Sequence, residues 1–154
     1  MFKALALLVW IAAAATATPS PAPMPTPQSL PVIVVRAPKA ALHLQVATTS
    51  SQRERGLMGV THLQPHNGML FVFDSDATVG FWMKNTLISL DMVFVGADGI
   101  IRHVYSRVPV VSATIPDADI PVEQGAAKYV IELPAGEALT DGLRDGVHVR
   151  DLPQ

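Results

Sequence analysis

Residues 69–105 read MLFVFDSDATVGFWMKNTLISLDMVFVGADGIIRHVY, and this stretch decides the fold. Met69-Leu70-Phe71-Val72-Phe73 is apolar at every position, as in a strand buried on both faces. Residues 81–84 and 92–95 are two further strands by length and by their aromatic and β-branched content. Asp98-Gly99 is a tight-turn pair that leads into a strand over 100–105. The core expected from these runs is Leu70, Phe71, Val72, Phe73, Phe81, Met83, Val93 and Ile131.

Upstream, Val32-Ile33-Val34-Val35 and the alternating Leu42-His43-Leu44-Gln45-Val46 are strands. The best helix runs over 48–59, with Ser51 and Glu54 at capping-box spacing and Gly59 as its stop. Downstream, 106–127 reads as a long loop broken by Pro109, Pro116, Pro121 and Gly125. A strand over 129–133, one or two helical turns over 137–144 and a last strand over 147–152 complete the domain. The expected fold class is α+β, mainly β. It is a single compact domain, 32–154, with a strongly curved or barrel-like sheet and two short helices. Sustained βαβ alternation is missing, which excludes a doubly wound fold.

The chain begins Met1-Phe2-Lys3, followed by an uncharged apolar run over 4–15 and the small-x-small site Ala15-Thr16-Ala17. That is the layout of a signal peptide over 1–17, with Thr18 as the mature N-terminus. The apolar run falls short of the ~20 residues that span a bilayer, so no stable membrane span is expected after cleavage. The expected destination is the bacterial periplasm or the exterior. Residues 18–31, TPSPAPMPTPQSLP, carry proline at nearly every second position and read as an extended, solvated linker.

Among 154 residues, 11 Lys and Arg oppose 13 Asp and Glu, a net charge of -2. That balance argues against nucleic acid as a partner, because phosphate neutralisation needs a basic surplus. With no cysteine, disulfides, thiolate metal sites, a thiol nucleophile and a lipid-modified cysteine are excluded. A monomer without a cofactor is the expectation. No Walker A, G-x-G-x-x-G, G-x-S-x-G or H-E-x-x-H motif occurs.

The densest polar information is Phe81-Trp82-Met83-Lys84-Asn85-Thr86. Strand alternation puts Trp82 beside Lys84, a stacking platform next to a cation, with Asn85 and Thr86 at the strand end. The competing reading is a core tryptophan, a snorkelling lysine and a turn. Arg53 and Arg55 on the helix could reach the acidic residues Asp91 or Glu132, either of which could serve as a general acid or base. His62 and His66 stand four apart, but Pro65 between them breaks a helical metal pair. Met58, Met69, Met83 and Met92 could hold copper(I), though each lies in an apolar run and reads as core filling. Asp117, Asp119 and Glu123 lack calcium-loop spacing. No metal site is expected.

Five blocks in order carry a resemblance: RERGLM (53–58), GMLFVF (68–73), FWMKNT (81–86), LDMVF (90–94) and YVIELPAG (129–136). Together, over about 42–152, they resemble domain of unknown function 192. The resemblance implies a small β-rich domain, often exported in bacteria and found also in archaea, with no established activity. Many members have proline where this chain has Ser89, and many carry cysteines in the segment matching 106–127. The function expected is a non-catalytic periplasmic module for an envelope glycan or a small anionic ligand. Its binding residues would be Trp82, Lys84, Asn85, Thr86, Asp91, Arg53, Arg55 and Glu132. The alternatives are a hydrolase or lyase using Asp91 or Glu132 with Lys84, and a periplasmic metal-handling protein.

Overall fold

The computed structural model describes residues 23–154. The expected signal peptide and residues 18–22 lie outside the described residues. Six strands follow in chain order: β1 (Val32–Arg36), β2 (Ala41–Ala47), β3 (Asn67–Trp82), β4 (Leu90–Val95), β5 (Ile101–Val108) and β6 (Val122–Pro134). They form one sheet in the order β1-β2-β3-β6-β4-β5. Two short helices complete it, α1 (Ser50–Arg55) between β2 and β3 and α2 (Glu137–Thr140) after β6. The mainly β class with two short helices holds, and the sheet is curved without closing into a barrel. Neighbouring strands are antiparallel except β2 and β3, which run parallel with α1 as their crossover.

β3 and β6 are longer than the sequence pattern predicts. The run 69–73 and residues 81–82 are two arms of one strand, with Met83 and Lys84 just past its end, because the polar Asp74-Ser75-Asp76 between them is accommodated by a register shift between Val72 and Ala77. β6 begins at Val122, so the expected loop over 106–127 ends in a strand. Gln124 and Gly125 pair with Gly80 and Val79. The shift bends the β3–β6 ribbon, and the outer arm folds over α1's side of the sheet. The last segment, 147–152, makes only isolated bridges, Arg36 with Arg150 and Ile100 with His148.

Because successive strand residues point to opposite faces, the sheet carries two cores. One joins Leu42, Leu44, Leu70, Val93, Ile131 and Leu133 to Ala138, Leu143 and Val149. The other joins Met69, Phe71, Phe81, Met83, Met92, Phe94 and Val130 to Leu57 beyond α1. The expected core residues are buried apart from Val72 and Phe73. These two sit where the ribbon bends and stay partly exposed. Met69, Met83 and Met92 are ordinary core, as expected.

α1 starts two residues earlier in its capping than expected. Thr49, rather than Ser51, is the N-cap, and Gln52, rather than Glu54, closes the box. The helix ends at Gly56, whose φ of +47° reverses the chain. The linker is docked where the structure describes it, although residues 23–31 have no regular structure. At the C-terminal end of α1, Gln28 Nε2 donates to the carbonyl of Gln52 (2.9 Å), which also accepts the Gly56 N–H (2.9 Å), and to that of Gly56 (3.0 Å). Arg55 donates to the Thr26 carbonyl (2.7 Å), and Leu30 packs on the second core. Among the described residues no helix is long and apolar enough to cross a membrane.

Candidate functional site

A cavity of about 280 Å³ opens between α1, the outer arm of β3 and the C-terminal end of β6, which contributes Glu132. It gathers most of the expected site residues: Arg53, Arg55, Trp82, Lys84, Thr86 and Glu132 all line it. Phe71, Phe73, Phe81, Leu57 and Met58 supply an apolar wall that the sequence reading treats as core or leaves aside. Phe81 stands edge-on to Phe71 and Phe73, with ring centroids 4.8 and 6.3 Å apart. The period-two spacing of Phe71 and Phe73 was the signal available for placing them on one face.

Strand alternation holds at the outer arm. Phe81 and Met83 are buried, while Trp82 is 38% exposed. Lys84 Nζ lies 5.4 Å from the Trp82 ring centroid, a cation–π distance. Lys84 pairs with Asp117, not with Asp91 or Glu132. Asp117 is 61% exposed, so solvent screens the pair and it adds little to stability. Asn85 (φ +54°) and Thr86 form a turn, with the Thr86 N–H donating to the Met83 carbonyl at 3.1 Å. Asn85 itself lies in an adjoining groove with Trp82, Lys84 and Asp117. The turn is tied to the end of α1 by the Gly59 N–H, which donates to the Asn85 carbonyl at 3.0 Å.

Neither arginine reaches a carboxylate partner. Arg53 donates to the carbonyls of Thr48 and Val72 and stacks over Phe73 at 4.9 Å. Arg55 is held by the linker. Both therefore keep their positive charge for the cavity.

Asp91 and Glu132 separate to opposite faces. In the β4–β6 register Met92 opposes Glu132 and Asp91 opposes Leu133, one residue on. Glu132 thus joins the face of α1, and Asp91 that of α2. Asp91 is wholly buried and fully occupied. Its Oδ1 accepts the N–H groups of Arg107 (2.7 Å) and Gly136 (2.9 Å), and its Oδ2 that of Ala138 (2.8 Å). This carboxylate organises three backbone segments and does not border the cavity, unlike the other expected site residues gathered there.

Glu132 is 5% exposed at the cavity floor. No hydrogen bond or ion pair holds its carboxyl among the described residues. Burial pushes it up from 4.5 to about 8, so it carries a proton at neutral pH. Close packing fixes its strand: a Cβ on Gly68 of β3 would stand 2.0 Å from the Glu132 carbonyl oxygen. With Glu132 neutral, the lining charges are Arg53, Arg55 and Lys84 against Glu54 alone. The cavity is therefore apolar-walled, cationic at its mouth and floored by a hydrogen-bond donor.

His62 and His66 do not converge. His62 borders a groove with His43, whereas His66 turns toward α2.

The family profile described as uncharacterized ACR, DUF192, matches residues 32–150. The chain belongs to the DUF192 family. Its fold is shared by two solved structures. One, from Sinorhizobium meliloti 1021, is described as a candidate transcription regulator. It is 32% identical, with a TM-score of 0.71, over 81% of this chain and 97% of that one. The other, from Novosphingobium aromaticivorans DSM 12444, is a protein of unknown function. It is 26% identical, with a TM-score of 0.68, over 89% and 99%. No curated protein matches the chain. The DUF192 blocks RERGLM, GMLFVF and FWMKNT, with Glu132 of YVIELPAG, converge on the cavity. The LDMVF block instead supplies the buried sheet.

Proposed function

We propose that this DUF192 domain is an exported binding module for a small anionic ligand with a ring, such as an acidic sugar. The observation that carries this is the cavity itself: an exposed indole beside Lys84, two arginines at the mouth and a neutral carboxyl at the floor. The ring would stack on Trp82, the anionic group would meet Lys84 and Arg55, and Glu132 would donate a hydrogen bond. A mixed apolar and polar lining of this size suits one sugar ring or a comparable small molecule. The N-terminal layout supports secretion with cleavage after Ala17, and the Pro-rich segment would then precede the domain in the periplasm. The net charge of -2 weighs against nucleic-acid binding, so the transcription-regulator description of the Sinorhizobium relative is not carried over to this chain.

Glu132 favours a second reading, proton transfer to or from a bound substrate, because a carboxyl near 8 can act as a general acid at neutral pH. A thermal-shift screen of acidic sugars and small carboxylates tests the first reading. A hit should raise the melting temperature of the wild type and lose its effect in Trp82→Ala and Lys84→Ala. Shifts that persist in both variants would refute it. Glu132→Gln separates the readings, since the amide still donates a hydrogen bond but cannot transfer a proton. Binding then survives in either case, and only the catalytic reading loses product formation.

A further inference from the structure

We propose that His66, Glu137 and Asp141 form a binding site for a divalent first-row transition-metal ion, zinc above all. None of the three lines the Glu132 cavity. His66 comes from the loop directly before β3 and holds a φ of +59°. Glu137 and Asp141 stand four apart at the two ends of α2, which places them on one side of that single turn. One ligand atom from each residue lies within 4.8 Å of the others.

The spacing suits a small ion. His66 Nδ1 lies 3.1 Å from Asp141 Oδ2 and 3.8 Å from Glu137 Oε1. Donors about 2.0–2.1 Å from a tetrahedral zinc ion stand about 3.3 Å from one another, a value these two distances bracket. Side-chain exposure is graded: Asp141 2%, Glu137 12%, His66 44%. The imidazole thus leaves an entry path and a place for water as the fourth ligand.

A second observation points independently to a ligand. Glu137 Oε1 accepts the His66 N–H at 2.8 Å, but Oε2 is buried with no hydrogen-bond partner. Among the described residues it is the one side-chain nitrogen or oxygen fully closed to water that lacks a partner. A buried carboxylate oxygen without a partner is costly, and a bound cation is one of the few things that satisfies it. The neighbourhood is also rich in negative charge, because Asp91 lies under the start of α2. By accepting the Gly136 and Ala138 N–H groups, Asp91 fixes the backbone on which Glu137 is mounted, the positioning role that outer partners play in metal sites. The nitrogen donor favours zinc, cobalt or nickel over magnesium, calcium and manganese, which prefer oxygen sets.

The competing account is that His66, protonated, serves only as an ion-pair partner that closes α2 on the sheet. Zinc titration of the full chain, stripped with chelator, separates the two. Calorimetry should show one ion per chain, and saturating zinc should raise the melting temperature. Cobalt(II) should give ligand-field bands, and zinc should shift the His66 imidazole resonances. His66→Ala and Glu137→Gln should each weaken binding by at least about tenfold, the scale on which even an outer-shell change acts. His62→Ala and His103→Ala should not. Circular dichroism checks that each variant is folded, and the His66 resonances in the wild type decide the matter if a variant is not. No binding at millimolar zinc, or binding undiminished in His66→Ala, would overturn the proposal.

Discussion

Glu132→Gln should change the pH dependence of folding more than any other conservative substitution in the chain. In the native protein burial raises the carboxyl from 4.5 to about 8. A native pKa above the unfolded one means that the protonated native state is favoured at low pH. The contribution is complete below 4.5 and drains away as the unfolded chain ionises and the native chain does not. It levels off once pH passes about 8. Each pKa unit is worth about 1.4 kcal/mol, so raising the pH from 5 to 8 should cost the wild type on the order of 3–4 kcal/mol through this one group. The amide of Glu132→Gln has the same shape and no charge to bury, so its stability should not carry that loss. Urea unfolding at several pH values between 5 and 8 measures both proteins. Their difference isolates Glu132, because the His66 pairs, which also weaken as pH rises, are common to both. The variant should overtake the wild type as pH approaches 8. Curves that run parallel across this range would show that Glu132 ionises normally. The neutral cavity floor, and the reading built on it, would then be wrong.

Three further outcomes follow from the same geometry. Lys84→Ala should leave stability within about 0.5 kcal/mol by denaturation, because its only carboxylate partner, Asp117, is 61% exposed. A larger loss would reassign the lysine to a structural role. Asp91→Ala should cost on the order of 3 kcal/mol or more, since it strips the acceptor from three backbone N–H groups. A near-neutral urea midpoint would refute that assignment. Phe71→Ala should cost on the order of 3–5 kcal/mol by the same measurement, because the ring is 1% exposed and meets Phe81 edge-on.

Most of the strands were legible because period-two patterning is local: 69–73, 92–95 and 129–133 read as buried strands, while the division of the core between two faces was not read. The length of β3 and β6 was not. Asp74-Ser75-Asp76 and the prolines before Val122 look like loop chemistry, and only pairing across the bend makes strands of the flanking residues. The helix cap slid from Ser51 to Thr49 because Gln52 can close a capping box as well as glutamate can. The docked linker was invisible for a related reason. Proline spacing dictates an extended backbone but says nothing of the carbonyls at the end of α1 that Gln28 finds.

By itself the sequence determined a β-rich domain of the DUF192 family and the neighbourhood of Trp82 and Lys84, since alternation within one strand sets both. Tertiary structure decided which carboxylate is which. Asp91 and Glu132 look equally plausible in the chain, each an acidic residue in an apolar strand. The β4–β6 register turns one toward the N–H groups of Arg107, Gly136 and Ala138, and the other into a cavity whose cations do not pair with it. Which face of a sheet a side chain occupies, and what waits for it there, depends on partners far along the chain. For the same reason His66, Glu137 and Asp141, some 75 residues apart in sequence, became a cluster only when α2 closed over the start of β3.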